Sequence, residues 1–497
     1  MQYRMQDMAP RLSKIQKVID DGPYEESWGS LCGNSIPAWF ADAKFGIFTH
    51  WGLYTVPEYR NEWYSRNMYI QGYPEFEHHR TTYGPQDRFG YKDFIPLFTA
   101  ERFDADEWLD LFKEAGAQYY CPVSEHHDGF QMYRSEVSHW NAAEMGPRRD
   151  VLGLLRDATT RHGMHFAASN HRAEHWWFMG HGKEFDSDVK DPMRRGDFYW
   201  PANPEPDNQD LFSLPRPDGE FLDDWLIRVC EVIDNYRPEL LYFDWWIQHE
   251  AFKPYLRKMA AFYYNRAHEW GVPVSICYKD DAMAWGSGLP EVERGGFADI
   301  QSFVWQTDTA IARNSWCYTK SLEYKGADEL IVDLIDAVSK NGNMLLNVGP
   351  RADGSISGHD RALLQGIGAW MRTNSEGIYG TRPWKYYGEG PTVAEQGSFS
   401  DQHAVEWTSH DFRFTTKDGD IYAFCLNPQH EKSLTLTTFA SYHDGVKPRF
   451  HGIIREVQQL GAGRIPFSRT DMGLIVHPLP VADAAEGLPM GLRISVE

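Results

Sequence analysis

The sequence predicts an α/β protein, a (β/α)₈-type barrel followed by a C-terminal β-sandwich. Between about residues 40 and 380, short and almost continuously apolar strands alternate with amphipathic helices. This alternation is typical of a parallel sheet covered by helices. About seven strands over that length favour a barrel over an open sheet. Beyond about residue 383 the apolar segments become short, alternating and β-rich, the first of them over 405–408, which indicates a sandwich.

Three strand–helix units carry the clearest periodicity. In each unit a helical apolar stripe is followed by a stop signal and then by a buried strand. The helices are predicted around 104–116, 222–236 and 330–338, and their strands around 118–123, 240–244 and 343–348. The other strand candidates are 45–49, 165–169, 272–278 and 300–305.

Two segments, 71–92 and 180–220, are rich in Pro, Gly and Asp. We expect them to be long βα-loops, which form the active-site walls of barrel enzymes. The predicted domains are therefore an N-terminal extension, a catalytic barrel and a β-sandwich, over residues 1–35, 36–382 and 383–497.

Composition narrows the function classes. A net charge of −22 disfavours nucleic acid and anionic membranes as partners. The 19 tryptophans fit sugar stacking and an aromatic core equally well. The six cysteines form no Cys-x-x-Cys pair, so neither a zinc site nor a disulfide scaffold is indicated.

The sequence shows neither a membrane-span pattern nor a signal peptide. We therefore expect a soluble protein. The sequence in its present form predicts a cytoplasmic protein, and a protein from which a signal peptide has been removed would be periplasmic or secreted. The sequence is compatible with a monomer and with a homo-oligomer.

Polar side chains follow five successive strand candidates. Because the carboxyl ends of barrel strands converge on one face, where catalysis takes place, we expect these side chains to form one pocket. They are His50 after the first strand, His126 and His127 after the second, Asn170 and His171 after the third, Asp244 after the fourth and Lys279 after the fifth.

Two chemistries fit such a pocket. One is glycoside hydrolysis by paired carboxylates. The other is metal-assisted hydrolysis, with ligands drawn from His50, His126, His127, His171 and Asp244. Adjacent residues of an extended backbone point to opposite faces, so we do not expect His126 and His127 to bind one ion together.

Several segments of the sequence resemble those of a known enzyme family, and this resemblance favours glycoside hydrolysis. The chain resembles the family 29 glycoside hydrolases, the retaining α-L-fucosidases, over about residues 36–384. The matching stretches include Trp39–Tyr54, Glu62–Tyr64, His126–Phe130, Pro238–Asp244, Val338–Pro350 and Asn374–Gly380. The resemblance implies a covalent mechanism that needs no cofactor and no metal.

The resemblance also implies roles for individual residues. Asp244 matches the family's nucleophile. The acid/base falls in a segment that varies within the family, where Glu293 is favoured and Glu291 is the alternative. The residues implied in substrate binding are His50, Glu62, Trp63, His126, His127, His171, Tyr242 and Trp316. Of these, Trp316 corresponds to an aromatic residue near the C6 methyl group of fucose.

Two positions depart from the family pattern. Glu125 stands where the family often has Lys, and Asn170-His171 stands where the third strand usually ends in an aromatic residue and Ser. The expected function is a retaining, exo-acting α-L-fucosidase that hydrolyses fucosylated oligosaccharides or polysaccharides. The alternatives are the same mechanism on a related sugar such as an α-L-galactoside, or a non-catalytic carbohydrate-binding barrel.

Overall fold

The computed structural model describes residues 7–208, 210–429, 431–443, 445–480 and 487–497. Among these residues, eight parallel strands close into a barrel in sequence order. Phe45 pairs with Met344 where the last strand meets the first, so the sheet has no exposed edge. The strands are β1 (Phe45–Thr49), β2 (Tyr119–Glu125), β3 (His165–Asn170), β4 (Leu240–Phe243), β5 (Ser275–Tyr278), β6 (Leu289–Glu293), β7 (Trp305–Ala310) and β8 (Gly342–Val348).

Helices cover the outside of the barrel. Their apolar stripes bury residues such as Trp108 and Trp225 against the strands, as the amphipathic pattern requires. The helices of the described residues are α1 (Ala9–Asp21), α2 (Trp28–Leu31), α3 (Ala38–Ala43), α4 (Tyr64–Asn67), α5 (Pro74–Thr82), α6 (Ala105–Glu114), α7 (Val151–Arg161), α8 (His175–Phe178), α9 (Gly219–Tyr236), α10 (Lys253–Trp270), α11 (Ala327–Ser339) and α12 (Gly358–Asn374). None of these described helices combines the length and apolarity needed to cross a membrane.

The barrel prediction is confirmed, with one strand wrongly placed. The segment predicted as a strand over 300–305 is irregular up to β7, which begins at Trp305. The strand missing from the prediction is β6, Leu289–Glu293. Its sequence lacks the apolar run that predicts a barrel strand, because two of its three inward-facing residues are the carboxylates Glu291 and Glu293.

The predicted loops are only partly irregular. The 71–92 segment contains α5. The 180–220 segment holds a short 3₁₀ turn at Gly180–Glu184, and α9 begins at its end. Both segments connect the end of one barrel strand to the helix that precedes the next.

The C-terminal region consists of two antiparallel sheets in the described residues. Apolar side chains from both sheets share one core, including Phe414, Leu436 and Leu474, which is the arrangement of a sandwich. The predicted strand over 405–408 is wrong, because this stretch is irregular. The strands are β9 (Arg382–Glu389), β10 (Phe412–Lys417), β11 (Asp420–Cys425), β12 (Leu434–Leu436), β13 (Ile454–Gln459), β14 (Gly463–Arg464), β15 (Phe467–Arg469), β16 (Leu474–Val476) and β17 (Met490–Val496).

The connection from β9 to β10 returns to the barrel. We call residues 394–403 of this connection the strap. Its Gly397 pairs with Gly296 beyond the end of β6. The predicted domain ranges 1–35 and 383–497 both include residues outside the described ranges, and the domain limits stay a prediction.

Candidate active site

A cavity of about 420 Å³ opens at the carboxyl ends of the barrel strands, within the roughly 300–1,000 Å³ of small-molecule sites. The ten residues given catalytic or substrate-binding roles in the sequence analysis all line it, as does Lys279, whereas Asn170, also expected in the pocket, does not. The ten are Asp244, Glu293, His50, Glu62, Trp63, His126, His127, His171, Tyr242 and Trp316. The convergence of strand ends therefore brings together side chains that are up to 266 positions apart in the chain.

Asp244 directly follows β4 and lies at the centre of a set of donors. Its Oδ1 accepts a hydrogen bond from Lys279 Nζ at 3.0 Å. Its Oδ2 lies 2.9 Å from His171 Nδ1 and 3.3 Å from His127 Nε2. Burial alone raises the pKa of Asp244, but Lys279, His171 and His127 outweigh it and hold that pKa well below its usual range. Asp244 is therefore ionised.

Glu293 is the last residue of β6 and faces Asp244 across Lys279. Its Oε2 lies 2.5 Å from Lys279 Nζ and accepts a further hydrogen bond from the Trp245 indole. Since Lys279 Nζ is 3.0 Å from Asp244 Oδ1 and 2.5 Å from Glu293 Oε2, those two oxygens are at most about 5.5 Å apart. This upper limit is compatible with the carboxyl spacing of retaining glycosidases, about 5–5.5 Å.

The two carboxyl groups have opposite protonation tendencies. Burial, together with the nearby charges of Asp308 and Asp244, raises the pKa of Glu293 to about 8 against the opposing effect of Lys279. Two neighbouring carboxyl groups with pKa values pushed apart are typical of an acid and nucleophile pair. Because both donors bind Oε2, Oε1 is the oxygen left to carry a proton to a ligand.

Glu291 also points into the barrel but lies beneath the pocket. Glu291 is a fully buried residue of β6 and not a solvated loop carboxylate. Its Oε1 accepts from the Asp308 backbone N–H at 3.1 Å, and its Oε2 is 3.6 Å from Lys279 Nζ. Burial and Asp308 raise the pKa of Glu291 well above its usual value. It does not line the cavity.

Tyr242 contributes to the floor of the pocket. Its hydroxyl donates to Asp308 Oδ2 at 2.7 Å, and the Lys279 ammonium lies 5.3 Å from its ring centroid. The aromatic ring therefore helps to stabilise the cation that contacts both carboxylates.

His50 is fixed by the neighbouring strand β8. Its backbone N–H and its Nδ1 both contact Asn347 Oδ1, at 3.0 and 2.7 Å. Burial and the nearby His171 lower the pKa of His50 well below its usual value, so the ring is neutral. With Nδ1 donating to Asn347, Nε2 is an acceptor that faces the cavity.

His126 and His127 both line the pocket, with ring centroids 4.3 Å apart. The expectation that they point to opposite faces is wrong, because β2 ends at Glu125 and the histidines lie in the turn that follows. Burial lowers the pKa of His126. Burial also opposes the charge of His127, but Glu174 and Asp244 outweigh it and raise the pKa of His127 to about 9.

Glu62, Trp63 and Trp316 form a further wall of the cavity. Glu62 Oε2 accepts from the Trp316 backbone N–H at 3.0 Å, which ties the two loops together. Burial raises the pKa of Glu62. The Arg294 guanidinium lies 5.1 Å from the Trp316 ring centroid, so the residue next to Glu293 supports this wall.

The two departures from the family pattern belong to one buried network. Glu125 Oε1 accepts from Arg172 Nη1 at 2.7 Å and from Arg228 Nη1 at 3.1 Å. Asp224 binds the same two arginines. Because Arg172 follows His171 in the chain, the network anchors the turn that presents His171 to Asp244.

Eight further residues line the cavity without a role assigned from the sequence. Lys279 follows the fifth strand candidate and is found in the pocket as expected, and Trp245 follows Asp244 in the chain, so the convergence of strand ends accounts for both. Phe399 carries no signal in the sequence, because it belongs to the strap of the C-terminal region. The eight are Asn61, Arg66, Asn67, Tyr73, Trp245, Lys279, Asp308 and Phe399.

Two sets of side chains have metal-ligand geometry in the described residues: His50, His126 and His171, and His127, His171 and Asp244. Both sets need His171. Its Nδ1 already contacts Asp244 and its Nε2 contacts Ser169 Oγ at 3.0 Å. An ion at either place would have to break one of these bonds, so the arrangement favours the carboxylate chemistry over the metal alternative.

Comparison with known proteins agrees with this chemistry. A family model described as Alpha-L-fucosidase matches residues 11–376 of the chain. Human plasma alpha-L-fucosidase is 31% identical over 384 residues, which cover 73% of each protein. The alpha-L-fucosidase of Dictyostelium discoideum is 30% identical over 444 residues, which cover 85% of each. Among solved structures, Thermotoga maritima alpha-fucosidase in complex with fucose has 28% sequence identity and a TM-score of 0.72, with 95% of this chain and 100% of that chain covered.

Proposed function

Because the chain belongs to the α-L-fucosidase family of glycoside hydrolases, we propose that it hydrolyses α-L-fucosides with Asp244 as nucleophile and Glu293 as acid/base. The observation that carries this proposal is the single ammonium of Lys279, which contacts both carboxylates. It holds an ionised Asp244 and a Glu293 with a raised pKa no more than about 5.5 Å apart, measured between the two oxygens that it contacts, which is compatible with a retaining mechanism.

In the first step, a carboxylate oxygen of Asp244 attacks the anomeric carbon and the glycosidic C–O bond breaks. Glu293 transfers its proton to the departing oxygen, and a covalent fucosyl ester forms on Asp244. His127 and Lys279 stabilise the carboxylate before attack and after its release. Neutral His50 can accept a hydrogen bond from a sugar hydroxyl at Nε2, and a neutral imidazole such as that of His126 offers one donor and one acceptor, which suits the vicinal hydroxyls of the sugar.

In the second step, the deprotonated Glu293 takes a proton from water, and the water oxygen attacks the anomeric carbon. The ester bond breaks, Asp244 is released as a carboxylate, and fucose leaves with its original anomeric configuration. The two steps together consume one fucoside and one water, and neither step needs an oxidant or a reductant. We propose fucosylated oligosaccharides as the substrates, cleaved from their fucose end.

A panel of 4-nitrophenyl glycosides tests the assignment. We expect release of nitrophenol from the α-L-fucoside, slower release from the α-L-galactoside, which adds a C6 hydroxyl, and none from β-linked sugars. Proton NMR should show the α-anomer of fucose as the first product. First appearance of the β-anomer would contradict a retaining mechanism, and no cleavage of any glycoside would favour the binding-protein alternative.

The pH dependence of kcat/KM follows from the same pair. The reaction needs protonated Glu293, whose pKa is raised to about 8, so activity is expected to fall as pH rises through about 8. The pKa of Asp244 is lowered, so ionisation of the nucleophile should limit activity only at strongly acidic pH. The measurement is kcat/KM against pH with a fucosyl oligosaccharide, because its poor leaving group needs the proton of Glu293.

The variant Asp308→Asn tests whether Glu293 controls the fall in kcat/KM at high pH. The Asp308 carboxylate raises the pKa of Glu293, and asparagine keeps an oxygen for the Tyr242 hydroxyl. Removing the charge should move the basic limb to lower pH. A basic limb that stays in place would mean that another group controls it.

A further inference from the structure

The strap brings part of the C-terminal region to the acid/base. Phe399 N–H donates to the Glu293 carbonyl at 2.8 Å, and Asp401 N–H donates to the Arg294 carbonyl at 3.1 Å. Gly397 N–H donates to the Gly296 carbonyl at 2.9 Å. The strap therefore runs along the residues that end and follow β6, so its position is set by the same strand that holds Glu293.

Asp401 anchors the strap to the barrel. Its Oδ2 accepts from Lys325 Nζ at 2.7 Å and from Thr309 Oγ1 at 2.6 Å, and its Oδ1 accepts from Arg294 Nε at 3.1 Å. The Asp401 side chain is only 8% exposed. A buried carboxylate with three donors from the barrel is costly to displace, so these contacts hold the strap against the site.

The contacts of Asp401 hold the nearby Phe399 with an exposed apolar side chain and an unfavourable backbone conformation. Its side chain is 46% exposed, although it is a large apolar residue. Its backbone has φ +60°, in the left-handed region that residues with a side chain seldom adopt. Strained backbone at the rim of a pocket points to a functional role for the residue that carries it.

Phe399 forms one aromatic surface with Trp245. The two rings are nearly parallel, with an interplanar angle of 13° and centroids 6.1 Å apart. Trp245 donates its indole N–H to Glu293 Oε2, and both aromatic residues line the cavity. The surface thus begins at the acid/base and extends outward to the exposed Phe399.

We propose that Phe399 and Trp245 form the aglycone subsite, which binds the sugar ring that leaves when fucose is released. This inference rests on the proposed function. A general acid must contact the glycosidic oxygen, and that oxygen belongs to the leaving sugar. The groups that adjoin Glu293 on the solvent side therefore contact the aglycone.

The chemistry of the surface selects a neutral pyranose. The C–H face of a pyranose ring packs on aromatic rings, while its hydroxyls stay free for water or for the polar strap residues Gln396 and Ser398. The strap contains no Lys or Arg between 394 and 403, so it offers no permanent cation for a sulfated or carboxylated sugar.

The test compares Phe399→Ala on two substrates that share the fucosyl group. A fucosyl disaccharide has a pyranose aglycone, whereas α-L-fucosyl fluoride has no aglycone ring and a leaving group that needs no proton. For the disaccharide, kcat/KM is expected to fall about tenfold or more, the size of effect of a lost apolar contact. For the fluoride it should change by less than about twofold. Phe399→Tyr keeps the ring and should retain disaccharide activity.

Tyr442→Ala is the matched control. Tyr442 is also an exposed aromatic residue of the C-terminal region, at 65%, and it does not line the cavity, so both substrates should be unaffected. Equal losses of Phe399→Ala on both substrates, or no loss on the disaccharide, overturn the subsite. Wild-type cleavage of the fluoride but not of any fucosyl disaccharide overturns the pyranose aglycone. A wild type inactive on all fucosyl substrates overturns the proposed function itself, and the subsite with it.

Discussion

Replacing Asp244 with alanine is expected to lower kcat by at least about 10³-fold, because the covalent step loses its nucleophile. Asp244 is the group on which His127, His171 and Lys279 converge. Asp244→Asn should be similarly inactive, since an amide keeps the shape but neither the charge nor the nucleophilic oxygen. The measurement is single-turnover and steady-state hydrolysis of the aryl fucoside, with thermal unfolding to show that the variant is folded.

Azide separates loss of the nucleophile from general damage to the site. In Asp244→Ala the space left by the carboxylate lets azide attack the anomeric carbon directly, so a fucosyl azide of inverted configuration is expected. Asp281→Asn is the control. Asp281 is an exposed carboxylate just after the carboxyl end of β5, and it does not line the cavity. A loss in Asp244→Ala smaller than about 10³-fold would count against a nucleophilic role.

The apolar strands of the barrel can be predicted closely from the sequence. The predicted bounds 45–49 coincide with β1, and the predicted 240–244 extends β4 by one residue, because each is a continuous apolar run followed by a polar residue. Such runs are typical of strands buried on both faces. Since polar residues at the carboxyl ends of barrel strands converge, the same runs also predict that Asp244 and the histidines share one pocket, as they do.

The sixth strand cannot be predicted by the same signal. The interior of the barrel at this point is polar, because Glu291 and Glu293 surround Lys279 together with Asp308 and Asp244. A strand with charged inward positions has the pattern of a loop. The residues that make the site chemically active are thus the ones that obscure its secondary structure.

Phe399 lies beyond any local signal. Its place at the pocket depends on backbone hydrogen bonds to Glu293 and on the contacts of Asp401 with Lys325 and Thr309, from segments more than 70 positions away. Neither periodicity nor strand-end polarity reports such contacts. The position of Phe399 beside Glu293 is therefore the part of the site that has no signal in the sequence.

The comparison of Glu293→Ala with Glu291→Ala tests the acid/base assignment. Removing a general acid affects poor leaving groups most, because a good leaving group departs without protonation. Glu293→Ala should therefore lose almost all activity on fucosyl oligosaccharides, with a reduction of about 10²–10⁴-fold. It should keep a larger share on an activated aryl fucoside, for which breakdown of the fucosyl-enzyme becomes limiting. Added azide should accelerate that breakdown, since azide needs no general base.

Glu291→Ala is the internal control from the same strand. Both side chains point into the barrel and both are near Lys279, but only Glu293 lines the cavity and contacts Trp245. Loss of Glu291 removes a buried carboxyl group beside Lys279, so activity should fall to a similar extent on good and poor leaving groups, with no azide effect. If Glu291→Ala instead shows the dependence on leaving group and Glu293→Ala does not, the acid/base is Glu291. The covalent mechanism through Asp244 would still hold, but the aglycone subsite beside Glu293 would not.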